Sequence, residues 1–416
     1  MIVYAAKHLL PVASPPIQSG AVVVHEGRIA TVGRRKDVVR SHPGVEVRDL
    51  GDAAIVPGLI NAHTHLELSH LHDPAVPPTT FMAWLRDLVA RRGEATEAAV
   101  TSAATAAVET MVSRGTVAVG DVGNGIVAGR VLARSPLHGI LFHELYGFRA
   151  ADAESILDQA AARLDAIESD PAVAAARGRL TAVLTPHAAH TTSGPLLKAL
   201  GGRATASNEV LSIHVAESDE EMQLLRDGTG PFKDFLIERG AWDPAWRAPG
   251  LTPVEYLDRL GVLTPRTLAV HCVHLDHQDL TRLQARGLTV VTCPRSNQRL
   301  GVGKAPVGKL LASGIPVALG TDSLASSPEV DVFNEIAALR QEHPGLAPAA
   351  ALRIATLNGA RALGLAKDLG TIETGKLAAL AVIALADPND DPLEAVTWSS
   401  ESIAPLETAT FEATTR

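Results

Sequence analysis

The chain is poor in cysteine and in aromatic residues. Cys272 and Cys293 are the only cysteines among 416 residues, and phenylalanine, tryptophan and tyrosine together make up 3%. Two thiols cannot supply the several cross-links of a disulfide framework, so we expect a protein of a reducing compartment. Because 46% of the residues are nevertheless hydrophobic, the sequence predicts a large core filled by alanine, valine and leucine.

An excess of positive charge and long apolar segments are also missing. The formal net charge is -9, which argues against a general binder of nucleic acids or of anionic membranes. No apolar run is long enough to cross a bilayer. The first residues lack the basic start and the long apolar stretch of a secretory signal. These absences predict a soluble cytoplasmic protein.

Apolar runs recur along the middle of the chain and predict its fold class. Eight such runs lie between residues 53 and 322, each followed by a helical pattern, including one helix predicted over residues 151–176. Near-continuous apolar strands that alternate with helices indicate a parallel sheet covered by helices. No dinucleotide-binding glycine fingerprint is present, so a closed (β/α)₈ barrel is favoured over an open sheet. Residues 228–250 are predicted to be an irregular insertion after the fifth strand and a candidate lid.

Both ends of the chain carry short strand patterns instead. Two apolar runs flank Glu26-Gly27, a hairpin turn signal, and nothing in residues 1–56 indicates a helix. A similar strand pattern begins at Gly370. We therefore predict two domains: a small β domain composed of residues 1–56 and 370–416, and a barrel domain of residues 57–369.

Polar side chains end seven of the eight predicted barrel strands. In a (β/α)₈ barrel the carboxyl ends of the strands build the active site. The residues at these positions are His63, His65, Asp121, Glu144, His187, His214, His271 and Asp322. His63 and His65 are two residues apart on one strand, so their side chains point the same way and can grip one metal ion. Neutral imidazole is a favoured ligand of zinc and iron.

Five short segments at predicted strand ends carry a family resemblance. They are residues 57–65 (Pro-Gly-Leu-Ile-Asn-Ala-His-Thr-His), 214–217 (His-Val-Ala-Glu), 271–275 (His-Cys-Val-His-Leu), 293–297 (Cys-Pro-Arg-Ser-Asn) and 320–326 (Gly-Thr-Asp-Ser-Leu-Ala-Ser). On these segments the chain resembles, over nearly its whole length, the mononuclear metal-dependent deaminase and chlorohydrolase branch of the amidohydrolase superfamily. The resemblance implies a (β/α)₈ TIM-type barrel beside a small β-sandwich formed from both chain ends.

The resemblance also implies a metal site. Matched position by position, the residues that would hold one divalent ion are His63, His65, His214 and Asp322. Zinc is the first expectation and iron the second, since both accept nitrogen and oxygen ligands. Pro186-His187 stands where many binuclear relatives carry a modified lysine, so a single ion is expected.

Three residues are expected, from the same resemblance, to move protons. His271 and Asp322 would orient a water molecule activated by the ion, and one of the two would accept its proton. Glu217 would protonate a ring nitrogen of the substrate and pass a proton to the departing ammonia. The chain is therefore expected to be a metal-dependent hydrolase that breaks the C–N bond of a cyclic amidine.

Five further residues are candidates for contacts with the substrate. His187 is expected to face it. Glu67 and Glu144 would reach ribose hydroxyls, although Glu67 could instead brace its own loop. Arg149 or Arg295 would pair with a substrate carboxylate, because a guanidinium binds an oxyanion through two hydrogen bonds. The alternative for each arginine is a structural salt bridge.

The predicted reaction is hydrolytic deamination of an adenine-type ring. Within this branch the resemblance implies aminodeoxyfutalosine, on the futalosine route to menaquinone, as the preferred substrate; its ribose and benzoate carboxylate would match the acids and arginines of the site. Alternatives are deamination of S-adenosylhomocysteine, methylthioadenosine, adenosine or guanine, and hydrolysis of a triazine chloride or amine. A non-catalytic scaffold of the same fold is the remaining alternative. The expected partner is a small heterocycle or nucleoside, without nucleic acid or membrane, and a homodimer is compatible with the sequence.

Overall fold

The computed structural model describes residues 1–73, 80–387, 390–398 and 403–407. In this part of the chain there are fifteen strands: β1 (Ile2–Leu9), β2 (Ile17–His25), β3 (Arg28–Arg34), β4 (Val47–Asp49), β5 (Ala53–Pro57), β6 (Leu59–Thr64), β7 (Thr116–Gly123), β8 (His138–Leu145), β9 (Leu180–Pro186), β10 (Leu211–Val215), β11 (Thr267–His271), β12 (Thr289–Thr292), β13 (Val317–Leu319), β14 (Leu380–Ala384) and β15 (Ile403–Pro405).

The described residues also form seventeen α-helices, most of them between the middle strands. They are α1 (Arg35–Ser41), α2 (Phe81–Arg92), α3 (Glu97–Ser113), α4 (Val127–Ala133), α5 (Ala153–Ser169), α6 (Pro171–Ala175), α7 (Gly194–Ser207), α8 (Asp219–Asp227), α9 (Pro231–Glu238), α10 (Pro253–Arg259), α11 (His277–Arg286), α12 (Pro294–Leu300), α13 (Val307–Ala312), α14 (Val332–Glu342), α15 (Pro348–Arg353), α16 (Gly359–Ala362) and α17 (Pro392–Trp398). A π-helix, Ile354–Asn358, joins α15 to α16. Among the described helices, none combines the length and apolar character needed to cross a membrane.

The eight middle strands form two sheets of four, in the chain order predicted from the sequence. One sheet has the order β6-β7-β8-β9 and the other has the order β10-β11-β12-β13. The strand pairs β8–β9, β10–β11, β11–β12 and β12–β13 are parallel. Single parallel bridges join Ala188 to His214 and Thr64 to Asp322. The residues that end β6, β10 and β13 are thereby brought to one edge.

Burial of the middle strands explains their apolar sequences. Every residue of β10, β11, β12 and β13 is buried. A strand covered on both faces reads as a continuous apolar run, without the alternation of a half-exposed strand. The polar residues within these strands, such as His214 and His271, are therefore exceptions that need a function or a partner.

Strands from both chain ends pair in one seven-stranded sheet. Its order is β15-β14-β5-β1-β2-β3, and β4 pairs with β1. Val3 and Ala5 of β1 pack with Val38 of α1 on one face, whereas Tyr4 and Ala6 face a second cluster on the other. The pairing of the two chain ends was predicted. The ladders connect all seven strands into a single sheet, and a two-sheet sandwich stays a prediction.

Three helices differ from the sequence expectations. Residues 1–56 do contain a helix, α1, whose seven residues bury Val38 alone and are too few to show a helical period. The helix predicted over residues 151–176 ends at Ser169, because Pro171 forces Asp170 into an extended conformation and then starts α6. The insertion at residues 228–250 contains α9, which begins with Pro231 and buries two phenylalanines.

The chain divides into two compact units. One comprises Met1–Asn61, Glu109–Val119 and Asp331–Arg416, and the other comprises Ala62–Val108 and Gly120–Val330. The first unit includes the sheet from both chain ends and also helices such as α14, which the sequence assigned to the barrel domain. All the residues of the candidate site described below belong to the second unit.

Gly58, between β5 and β6, occupies a position where a side chain does not fit. A Cβ atom there would lie 2.2 Å from Cγ1 of Val117 and 2.8 Å from the carbonyl oxygen of Ala379. We expect Gly58→Ala to lower the free energy of unfolding by about 1–3 kcal/mol through overpacking, measured by chemical denaturation. In the control Gly202→Ala, within α7, the new methyl meets nothing within 4 Å, so stability should hold or rise by up to about 1 kcal/mol. Unchanged stability of Gly58→Ala would contradict this account.

Candidate active site

Three ligand atoms converge where β6 and β13 end. Nε2 of His63 and Nε2 of His65 are 3.1 Å apart. Oδ1 of Asp322 lies 3.5 Å from Nε2 of His65 and 3.8 Å from Nε2 of His63. The ring of His214, from β10, has its centroid 4.9 Å from that of His63 and 5.4 Å from that of His65. Two overlapping groups, His63-His65-Asp322 and His63-His214-His271, bring their ligand atoms within 4.8 Å of one another.

The protonation of these histidines fits a bound cation. Burial lowers the pKa of His63 well below its usual value and also lowers the pKa of His65. Both imidazoles are therefore neutral, and a neutral ring with its hydrogen on Nδ1 presents the lone pair of Nε2 beside the carboxylate. A divalent ion bound by these three atoms would compensate the repulsion among them. Nitrogen and oxygen atoms of this kind are ligands of zinc in proteins.

Hydrogen bonds to neighbouring groups engage one polar atom of Asp322 and one of His214, and the other atom of each side chain stays available to a metal ion. Oδ2 of Asp322 accepts hydrogen bonds from the hydroxyls of Ser296 at 2.6 Å and Ser326 at 2.8 Å, which leaves Oδ1 toward the imidazoles. Nδ1 of His214 donates to the carbonyl oxygen of His187 at 2.9 Å. Because a carbonyl only accepts, Nδ1 carries a hydrogen, so Nε2 is the ring atom of His214 that a metal ion can use. Outer partners of this kind orient metal ligands in general.

The backbone is strained where the strands end at this site. Positive φ angles, rare for residues other than glycine, occur at Ala216 (50°), His271 (68°), Cys272 (50°) and Asp322 (56°). Such strain persists where surrounding structure imposes it, often at functional sites. The amide of Asp322 donates to the carbonyl oxygen of His63 at 3.1 Å. A Cβ atom at Gly320 would lie 2.7 Å from that oxygen, so only glycine lets Asp322 approach the histidines.

Glu217 is a buried acid next to the cluster. Its Oε1 lies 3.5 Å from Nε2 of His271, and burial raises the pKa of its carboxyl to about 8. The backbone amide of Glu217 donates to Oε2 of Glu221 at 2.9 Å, and Glu221 is fully buried. The hydroxyl of Ser218 caps α8 by accepting from the amide of Glu221 at 3.3 Å. Glu217 is thus a rigidly held carboxyl that carries a proton near neutral pH.

A cavity of about 380 Å³ opens onto these groups, a size typical of small-molecule sites. Its polar end is lined by His65, His187, His214, Glu217, His271 and Asp322. Its apolar wall comes mainly from α2 and α9, through Phe81, Trp84, Leu85, Leu88, Phe232 and Phe235. Two arginines, Arg92 and Arg239, also line it. The cavity therefore combines one reactive end with a long hydrophobic wall.

Comparison with known proteins agrees with this geometry. A sequence model described as the amidohydrolase family matches residues 54–413. The chain belongs to this family. It is 35% identical over 356 residues to an aminodeoxyfutalosine deaminase of Deinococcus radiodurans, covering 83% of the chain and 81% of that protein. It is 33% identical over 392 residues to a 5-methylthioadenosine/S-adenosylhomocysteine deaminase of Nitratidesulfovibrio vulgaris, covering 91% and 81%.

A solved structure supports the fold assignment. An adenosine deaminase of Xanthomonas campestris with bound zinc superposes with a TM-score of 0.80 at 25% identity, covering 96% of this chain and 89% of that one. The chain thus has the TIM-barrel-type fold with parallel sheets. Its curated relatives are deaminases, and the chain is a hydrolytic deaminase of the amidohydrolase family.

In this amidohydrolase, two predicted acids line the cavity in different ways. Oε2 of Glu67 accepts the backbone amides of Gly125 at 2.9 Å and Asn124 at 3.3 Å, so Glu67 braces the loop after β7. Its Oε1 is buried and has no hydrogen-bond partner among the described residues. Glu144 accepts a hydrogen bond from the hydroxyl of Tyr146, and burial raises the pKa of Glu144. Both acids can therefore accept a further hydrogen bond from a ligand.

Three predicted positions lie outside the cavity lining. Arg149 donates to the carbonyl oxygen of Gly240, and Arg295 pairs with Glu329; neither guanidinium lines the cavity. Asp121, at the end of β7, accepts the backbone amide of Leu66 at 2.9 Å and so supports the segment after the histidine pair. Arg295 thus forms the structural salt bridge that was the alternative for it, whereas Arg149 bonds to a backbone carbonyl.

Several residues of the site escaped sequence reasoning. Ser296 and Ser326 lie inside the family segments, so their positions were a signal although their role was not evident. Glu221 lies four residues after Glu217. Its sequence position is that of an ordinary acid in the first turn of a helix, so its contact with Glu217 was not predicted. Arg92 is the last residue of α2, and Arg239 directly follows α9. No motif in the sequence marks either arginine.

Removal of one histidine should test the ligand set. We expect His65→Ala to bind far less than one zinc ion per chain after metal reconstitution, because one of four ligands is lost. His274→Ala is the matched control, since His274 bonds to the carbonyl oxygen of Val302 at 2.9 Å and belongs to neither ligand group. Elemental analysis of dialysed, folded protein measures the ratio. One tightly bound ion in His65→Ala would contradict the assignment.

Proposed function

We propose that this chain is a deaminase of adenine nucleosides that uses one divalent ion and that its substrate is aminodeoxyfutalosine. The observation that carries the proposal is the buried Glu217 carboxyl, 3.5 Å from His271, beside a cluster of converging ligand atoms at the end of a cavity. The substrate is supported by the 35% identity to an aminodeoxyfutalosine deaminase. The reaction replaces the ring amino group by oxygen and releases ammonia, in a step that would belong to menaquinone biosynthesis.

Four residues would hold the ion in this proposal: His63, His65, His214 and Asp322. Three neutral imidazoles and one carboxylate suit zinc first and iron second. The bound ion supplies Lewis acidity, which makes a water molecule an effective nucleophile near neutral pH. The closed eight-stranded barrel, the small sandwich and the division into residues 57–369 and 1–56 plus 370–416 belong to the same proposal.

The chain's own residues supply the proton transfers. Asp322 accepts a proton from the attacking water. His271 keeps its position because Nδ1 is 2.9 Å from Oδ1 of Asn297, which leaves Nε2 to orient the water. Glu217 donates its proton to the ring nitrogen next to the reacting carbon. The water oxygen bonds to that carbon, and the ionised Glu217 takes the second proton of the water and passes it to the amino nitrogen. The carbon–nitrogen bond then breaks, ammonia leaves, and the proton on Asp322 returns to Glu217.

A second candidate substrate class is favoured by the cavity wall. The side chains of Phe81, Leu88 and Phe235 line it, and an apolar wall suits the thioether of methylthioadenosine as well as an aromatic ring. The 33% identity to a methylthioadenosine and S-adenosylhomocysteine deaminase over 91% of the chain supports the same alternative. Relative kcat/KM values distinguish the two classes.

Replacement of the acid tests the mechanism. We expect Glu217→Gln to retain its metal and to lose at least about a hundredfold in kcat, because a positioned acid contributes about 10²–10⁴ in rate. Glu220→Gln, three residues along the chain, is the control and should keep near-normal turnover. Metal analysis and steady-state kinetics on the same preparations provide the measurement. Near-normal kcat in Glu217→Gln would refute the proton-transfer role.

A nucleoside screen tests the substrate. Deamination, followed by ultraviolet absorbance, would be compared for aminodeoxyfutalosine, methylthioadenosine, S-adenosylhomocysteine, adenosine and guanine. We expect the highest kcat/KM for aminodeoxyfutalosine. A higher kcat/KM for methylthioadenosine would favour the second substrate class. Turnover of a chlorotriazine and of none of the nucleosides would overturn the proposal that the chain deaminates adenine nucleosides.

A further inference from the structure

We propose that Arg239 binds an anionic group at the far end of the substrate and thereby selects nucleosides whose 5′ substituent carries a carboxylate. The inference rests on the proposed function, because it assigns one end of the cavity to the adenine ring. It concerns a residue that follows α9, in the insertion at residues 228–250, and that no motif in the sequence singles out.

One face of α9 is turned to the cavity. Phe232, Phe235 and Arg239 all line it, and they occupy positions i, i+3 and i+7, which share a face of a helix. Ile237, on another face, is 52% exposed and does not line the cavity. The arginine therefore continues the wall that the two phenylalanines begin.

Contacts with α2 and with a site histidine hold α9 in place. Nε and Nη2 of Arg86, in α2, each donate to a carboxylate oxygen of Glu238 at 3.0 Å. The ring of Phe232 lies 4.0 Å from that of His190 and 6.0 Å from that of Phe81, measured between centroids. Because Glu238 is engaged by Arg86, the acid next to Arg239 in the chain already has a partner.

The other arginines near the cavity are occupied. Arg92 donates to Oδ1 of Asn124 and hydrogen-bonds to Tyr146, which is itself bonded to Glu144. Arg149 and Arg295 bond elsewhere, as described above. The guanidinium of Arg239, by contrast, has no ion pair or hydrogen bond with any described residue. It is the cation of this wall that a ligand can engage without displacing a protein partner.

Along α9, the cavity-lining residues Phe232 and Arg239 are widely separated. Seven residues separate Phe232, beside His190, from Arg239, which is about 10 Å along the helix axis. A group attached to the 5′ carbon by an aryl or alkyl linker can span such a distance, and the rings of Phe235 and Trp84 would contact that linker. Adenosine has only a hydroxyl at this carbon. Arg239 therefore discriminates by the tail of the substrate.

The test compares a carboxylate substrate with its neutral ester. kcat/KM would be measured for aminodeoxyfutalosine and for its methyl ester in the metal-loaded wild type, Arg239→Met, Arg239→Lys and Arg247→Met. Arg247 lies in the same insertion, donates to the carbonyl oxygens of Pro244 and Trp246 and does not line the cavity. We expect Arg239→Met to lose about tenfold for the carboxylate, mainly through KM, and about twofold or less for the ester. Arg239→Lys should recover part of the loss, and Arg247→Met should change neither value.

An equal loss for the carboxylate and the ester, or no loss at all, would overturn the proposal. Calorimetric measurement of the binding of the same two nucleosides tests the anion site independently of the proposed reaction. If the wild type turns over neither compound but binds the carboxylate more tightly, and Arg239→Met abolishes that preference, the anion site stands and the deamination of this substrate falls. If the wild type turns over both compounds equally well, the reaction stands and the anion site falls.

Discussion

The close approach of two neutral imidazoles and a carboxylate in a buried position governs the rest of this structure. The Nε2 atoms, 3.1 Å apart, share a hydrogen bond when one ring carries its hydrogen on Nε2, and both can become ligands when a cation takes the place of that hydrogen. The supports are visible on every side: Gly320 allows the strand end of Asp322 to reach the carbonyl of His63, and two serine hydroxyls engage the outer carboxylate oxygen. Gly320, Ser296 and Ser326 all lie in the segments that carry the family resemblance.

Burial decides the chemistry of the acid in the same way. A carboxyl surrounded by protein resists ionisation, which makes Glu217 a proton donor near neutral pH. Its position depends on Glu221, which accepts the Glu217 amide, and on the cap of α8. The backbone that carries Glu217 is therefore held by a buried acid, Glu221, that does not line the cavity.

The wall of the cavity that does not come from the strand ends has a different composition. It is apolar and is carried by α2 and α9, two helices outside the parallel sheets. Their mutual contact rests on aromatic rings and on the paired hydrogen bonds between Arg86 and Glu238. Loops and insertions at the carboxyl end of a barrel vary specificity without disturbing the strands. In the proposed function the reaction is thus assigned to the strand ends, and the choice of substrate is assigned to these added helices.

The amino-acid sequence by itself determined the eight middle strands, their order and the pairing of the two chain ends, because buried strands leave long apolar runs that local patterns reveal. It also marked the histidines, Glu217 and Asp322 as a set at strand ends. It did not reveal α1, whose seven residues are too few for a period. Tertiary structure alone decided that Arg149 and Arg295 bond elsewhere and that Arg92 and Arg239 line the cavity. A side chain's partners depend on elements distant in the chain, and no local pattern carries that information.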